Sequence, residues 1–202
     1  MDLVKPAILT AALVLALALP GRAQDQAAAF ASSYAAETKG DYPDAIAPLK
    51  AIYTGSYEQN LRLGWLHFLA KNYPASASYY QKAVEQRPYA IEPRFGLVKP
   101  LNALNQIDKL VGIYEDILKI DAQNTQANYW MGVIFLNRKA YDQAARYFER
   151  VANLYPFDYD VNLSLAWTYL NLGRKNEARA LYNKVLLIRP GDATALAGLK
   201  RL

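Results

Sequence analysis

The chain has 202 residues, 53% of them apolar and 20% charged, which is the balance of a folded chain and excludes wholesale disorder. It has no cysteine, so disulfides, thiolate catalysis, Cys-ligated zinc and iron–sulfur clusters are excluded together. The formal charge of +5 comes from Lys and Arg residues scattered along the chain rather than massed, which leaves no nucleic-acid footprint.

The first element is apolar. Ile8 to Leu19 carries one polar residue, Thr10; Pro20 and Gly21 break the run, and Gly21-Arg22-Ala23 puts small residues at the −3 and −1 sites of a cleavage point. With Lys5 ahead of it, this is the layout of a secretory signal peptide covering residues 1–23 and cut after Ala23. A retained anchor is the alternative, but a membrane span needs about 20 apolar residues and this run is shorter. The expectation is an exported protein, periplasmic or extracellular, with no membrane span after cleavage.

Downstream, the chain repeats itself. Gly40-Asp41-Tyr42-Pro43-Asp44-Ala45 returns as Lys71-Asn72-Tyr73-Pro74-Ala75-Ser76, then as segments starting at Asn105, Lys139 and Gly173. The first interval is slightly short, and the next three are equal. Each segment opens a stretch with apolar residues on one helical face. The large residue of that face is Leu49, Tyr80, Tyr114, Phe148 and Tyr182 in turn, followed by Ile52, Ala83, Ile117, Val151 and Val185. Prolines 88, 156 and 190 close three of the stretches, since proline lacks the N–H that a helix interior needs. An upstream partner stretch carries a large–small pair at Leu63-Gly64, Leu97-Val98, Met131-Gly132 and Leu165-Ala166. Small residues such as Gly64, Gly132, Ala45 and Ala144 let helices approach closely, with Tyr80 or Phe148 filling the space beside them. The 16 tyrosines suit a thin, stacked architecture with many half-buried positions.

Over residues 26–202 this pattern resembles the tetratricopeptide repeat family, whose unit of about 34 residues matches the three equal intervals. The resemblance implies an all-α fold, a right-handed α-solenoid of about five helix–turn–helix repeats at residues 26–56, 57–90, 91–124, 125–158 and 159–192. Gly191-Asp192 then reads as a turn with Asp192 as N-cap, leading into a short capping helix at 193–202. Its Leu196 and Leu199 are expected to cover the open end, with Lys200 and Arg201 facing water. Pro100 falls inside the first helix of repeat three, four residues after Gly96; it predicts either a kink that widens the groove or a tolerated distortion.

In the family the first helix of each unit lines a concave surface. The matching positions are Ala27, Phe30, Tyr34 and Glu37 in repeat one; Glu58, Leu61, Trp65 and Phe68 in repeat two; Glu92, Phe95, Lys99 and Asn102 in repeat three. Repeat four gives Gln126, Tyr129, Val133 and Leu136, and repeat five Asp160, Leu163, Trp167 and Leu170. The candidate partner-binding residues are therefore Phe30, Tyr34, Trp65, Phe68, Phe95, Lys99, Tyr129 and Trp167, an aromatic stripe suited to an apolar peptide or an amphipathic helix of a partner. The alternative is that these rings only pack between adjacent helices. A family subgroup grips chain-terminal carboxylates with paired Lys, Arg and Asn; here only Lys99 and Asn102 match, so that clamp is read as absent.

No chemistry of transformation is visible. His67 is the one histidine and reads as a packed, hydrogen-bonded core residue. Glu115-Asp116 and the pair Asp158 and Asp160 do not share a helix face, and the latter sits in a turn where Asp is favoured. No phosphate loop or nucleophile–base set is present. The sequence predicts no enzyme, no metal and no cofactor, but a scaffold or adaptor of the cell envelope with a protein partner, self-association into oligomers or filaments being the alternative.

Overall fold

The computed structural model describes residues 23–202. Apart from its last residue, the segment read as an export signal lies outside the described residues. Among the described residues no helix is long and apolar enough to cross a membrane. The chain falls into two compact units that meet in sequence between Asn105 and Gln106.

The first unit holds α1 (residues 23–37), α2 (Tyr42–Ala51), α3 (Tyr57–Leu69), α4 (Tyr73–Gln86) and α5 (Glu92–Ala103). Helix starts are fixed by short polar side chains: Asp41, Ser56 and Asn72 each accept a backbone N–H of the first turn, and Ser56 forms a reciprocal capping box with Gln59. Helix α3 packs against α2, α4 and α5, and α4 also against α5. One core cluster is built from Ala29, Ala45, Leu49, Leu63 and Leu66, all buried. Tyr80 of α4 lies between two glycines. A Cβ on Gly64 of α3 would stand 2.9 Å from its ring, and one on Gly96 of α5 only 2.2 Å. Gly96 thus serves the contact with Tyr80, and α5 runs unbroken through Pro100.

The second unit holds α6 (Ile107–Ile120), α7 (Thr125–Asn137), α8 (Tyr141–Leu154), α9 (Tyr159–Asn171), α10 (Lys175–Ile188) and α11 (Ala193–Leu199). Each helix packs on the next, and α7 and α11 both also touch α9. Phe148, Val151, Leu165, Ala166, Tyr182 and Val185 form the centre of its core. Asp192 caps α11 as expected, accepting the Ala195 N–H at 2.8 Å. The capping face of α11 differs from the sequence expectation. Leu196 is 43% exposed, while Ala195 and Gly198 are buried and Leu199 packs at the core edge. The reason is steric: a Cβ on Gly198 would stand 2.2 Å from the Tyr182 ring, so the helix approaches by its smallest residues and Leu196 turns outward.

Two register features recur along the repeats. Gly40, Lys71, Asn105, Lys139 and Gly173, the residues that open the repeated segments, all have positive φ between 54° and 76°; Gly40, Lys71, Lys139 and Gly173 make the tight turn inside a helix pair, and Asn105 ends the first unit. Asn60, Arg94, Asn128 and Asn162 are buried polar residues in the first helix of successive pairs. Each donates to a carbonyl of the turn just before it: Asn60 to Gly55 at 3.0 Å, Arg94 to Ala90 at 2.7 Å, Asn128 to Ala122 at 3.1 Å and Asn162 to Pro156 at 3.2 Å. Buried side-chain donors need such partners, so this position ties each of these helices to the turn that enters it.

Candidate functional site

Helices α1, α3 and α5 of the first unit line an open cavity of about 660 Å3. Phe30, Tyr34 and Glu37 come from α1, Glu58, Leu61, Arg62 and Trp65 from α3, and Glu92, Phe95, Gly96 and Lys99 from α5. Five of the eight candidate residues, Phe30, Tyr34, Trp65, Phe95 and Lys99, therefore line one space. Phe68 lies beside it, its ring 5.9 Å from that of Trp65. Tyr34 is 54% exposed, whereas Trp65 and Phe95 are half-buried.

An ion pair holds this site in shape. Arg62 is buried and pairs through Nη1 with Glu37 Oε2, while its Nε donates to Ser33 Oγ at 3.1 Å. The other oxygen of Glu37 accepts the Trp65 indole N–H at 2.6 Å. Burial acts to raise the Glu37 carboxyl, but the hydrogen bonds from Trp65 and Arg62, with the guanidinium charge, outweigh it and hold the group below the usual carboxylate range. One carboxylate thus fixes both a buried cation and the orientation of the indole. The Arg62 guanidinium lies 3.8 Å from the Tyr34 ring centroid, and its Nη2 is buried with no acceptor among the described residues. Lys99 reaches over the indole, its Nζ 4.4 Å from the Trp65 ring centroid.

The opposite end of the cavity is acidic. Glu58 and Glu92 occupy matching positions in the first turns of α3 and α5. Glu58 meets Arg87 at 3.3 Å in an exposed pair, and Glu92 accepts the Tyr57 hydroxyl at 3.4 Å. Burial and the nearby Glu92 charge push the Tyr57 phenol up.

The remaining two candidates belong to the second unit. Tyr129 is half-buried and lines a cavity of about 310 Å3 with Thr125, Gln126, Tyr155, Asp158 and Asp160. Trp167 is 37% exposed and is not among the residues of that cavity; the Arg201 guanidinium sits 4.5 Å from its ring centroid. Asp158 serves as the N-cap of α9, accepting from Val161 at 2.9 Å. His67 is buried as expected but not hydrogen-bonded at Nε2. It stacks on Tyr79 with ring centroids 5.3 Å apart, and burial, then the Lys50 charge, lower its pKa.

Arg62 is the site residue that sequence reasoning passed over. It falls one position away from the expected groove set, and its partner Glu37 is 25 residues distant. A charged residue among apolar neighbours in an otherwise core-facing register was the available signal.

Comparison with known proteins places this arrangement. Tetratricopeptide repeat models match residues 56–91 and 135–202, which together make up just over half of the chain. The chain belongs to the tetratricopeptide repeat family. A curated relative, an uncharacterised protein named ycf37 from Guillardia theta, is 32% identical over 96 residues, which is 45% of this chain and 53% of that protein. The chain thus spans about half the length of the curated relative it matches. Among solved structures, MamA superposes with a TM-score of 0.71 at 17% identity, over 82% of this chain and 92% of that one. A tetratricopeptide repeat protein from Parabacteroides merdae gives 0.75 at 19%, over 87% and 71%. YrrB, described as a tetratricopeptide repeat protein with an unusual peptide-binding site, gives 0.67 at 17%, over 83% and 88%. At these identities the likeness concerns the fold, an all-α repeat solenoid.

Proposed function

We propose that this protein is an adaptor of the cell envelope that holds a segment of a partner protein in the α1–α3–α5 cavity. The family's general role as a protein–protein interaction scaffold supports the first half of this reading. The observation that carries the second is the Glu37 carboxylate, which locks the Trp65 indole at the wall of an open, aromatic-lined cavity. Rigid aromatic anchors are the commonest hot spots of protein interfaces, and an anchor fixed before binding loses little conformational entropy when the partner arrives. YrrB, a structure of similar fold, is described as having a peptide-binding site, which is consistent with this use of the scaffold. The envelope assignment rests on the apolar run Ile8 to Leu19 and the small residues before Gln24.

The test is affinity capture from a solubilised envelope fraction with the full chain as bait, beside a Trp65→Ala bait. Truncating a hot-spot aromatic costs about 2 kcal/mol or more, roughly a thirtyfold loss of affinity, so a partner retained by the wild type should be absent with the variant. Equal capture by both baits would remove the cavity from the reading. Fractionation of the native cells, with the N-terminal sequence of the recovered protein, tests export: a start at Gln24 supports it, and a cytosolic protein that still begins at Met1 refutes it.

Self-association is a second reading, favoured by Leu187 and Leu196 near the C-terminal end, which are 73% and 43% exposed. Sedimentation at rising concentration separates it from the first, since a monomer throughout would dismiss it.

A further inference from the structure

We propose that the partner segment held in the first-unit cavity carries an acidic and a basic side chain two helical turns apart, about 10 Å, with an apolar residue between them, the acid lying toward Lys99 and the base toward Glu92. This rests on the cavity being the partner site and adds the chemistry of what it holds.

The argument starts from the two ends of the cavity. Glu92 and Lys99 stand seven residues apart on α5, two helical turns or about 10 Å along the axis. On α3 the matching residues are Glu58 and Trp65. One end therefore presents two carboxylates against the single counter-ion Arg87, and Glu92 has no ion-pair partner among the described residues. The other end presents the Lys99 ammonium and the Arg62–Glu37 pair, which is neutral as a whole. Lys99 in turn has no carboxylate partner among the described residues; its contact is the face of Trp65. The cavity is thus polar along its length, one negative and one positive charge in excess at opposite ends.

A second observation points to an acceptor at the positive end. Arg62 has a side chain 6% exposed and lines the cavity, yet its Nη2 has no hydrogen-bond acceptor among the described residues. A buried charged donor left unmade is costly, and a ligand carboxylate beside Lys99 would meet it once the exposed Tyr34 ring, which lies over the guanidinium, turns aside. Between the ends, Phe30, Leu61 and Phe95 supply an apolar floor. A separation of about 10 Å equals seven residues of helix, which also keeps both charged side chains on one face; three residues of extended chain span the same length but turn the two to opposite faces, so the segment binds as a helix.

Selection of random twelve-residue peptides displayed on phage against the full chain reads this directly. The wild type is expected to enrich peptides with one acidic and one basic residue seven apart around an apolar residue. Against the best such peptide, Glu92→Lys and Lys99→Glu are each expected to weaken binding about fivefold, the value of one partly exposed ion pair. The Glu92→Lys/Lys99→Glu double variant should prefer the peptide with its two charges exchanged. Enriched peptides that are apolar with no such charge pair, yet are lost with Trp65→Ala, would overturn the charge pattern and leave the cavity as partner site. Peptides indifferent to Trp65→Ala, or no enrichment at all, would overturn both.

Discussion

At the scale of single residues, the molecule places ionisable groups where their partners decide their state. Glu37 is the clearest case, because one carboxylate satisfies both Arg62 and Trp65. Removing it leaves a buried guanidinium uncompensated, and Glu37→Ala is expected to lower stability by about 3 kcal/mol. Glu37→Ala combined with Arg62→Met removes both charges and should cost less than Glu37→Ala alone. Urea denaturation of the three proteins checks this, and additive losses would contradict it. His67 gives a prediction of opposite chemical kind. Its folded pKa lies below the ordinary value of 6.5 because the ring is buried on Tyr79 with Lys50 nearby. As pH falls through the unfolded value, the unfolded chain takes up a proton that the folded chain still refuses. Stability contributed by the neutral ring is therefore present above about pH 6.5 and is lost as pH falls from there through the lowered folded value. Urea midpoints at pH 7.5 and pH 5 should differ less for His67→Phe than for the wild type.

At the scale of helices and turns, the repeat demands the same backbone at the same place each time. The residue that opens each repeated segment is left-handed, and Gly40 and Gly173 provide this without strain. Lys71, Asn105 and Lys139 adopt it with a side chain, Lys139 at φ 60°. The left-handed region costs a non-glycine residue about 1 kcal/mol, partly offset by glycine's larger freedom when unfolded. Lys139→Gly is expected to stabilise the protein by about 0.5 kcal/mol net, and the β-branched Lys139→Val to destabilise it. Thermal unfolding followed by circular dichroism measures both, and a stabilising Val would refute the account. The aromatic–glycine contacts work at this scale too, because Tyr80 couples α3 and α5 only while Gly64 and Gly96 stay without a Cβ.

At the scale of the whole chain, the all-α repeat fold was legible from the repeat spacing together with the family resemblance that it carries. Positions one repeat apart must perform the same task, and the segments opening at Lys71, Asn105, Lys139 and Gly173 announce the turn they make. The parts that stayed hidden are those set by stacking rather than by period. Arg62 finds Glu37 across neighbouring pairs, and its sequence neighbours give no sign of that contact. The buried Asn60, Arg94, Asn128 and Asn162 do share the period, yet polar residues in the first turn of a helix read as solvent-facing. Leu196 misled for a related reason, since hydrophobicity marks what can be buried and the Tyr182 ring decides what fits. The aromatic candidates were visible as a set, whereas which of them share a cavity depended on how α1, α3 and α5 come together.

The indole of Trp65 has one further property. It is the single tryptophan of the first unit, for the other two, Trp130 and Trp167, lie in the second. A carboxylate holds its nitrogen and an ammonium covers its face, so its emission is set by two charges that any occupant of the cavity must rearrange. With Trp130 and Trp167 replaced by phenylalanine, the protein would carry a built-in optical gauge of occupancy, and titration of a bound segment could be followed by light alone, with no label on either molecule.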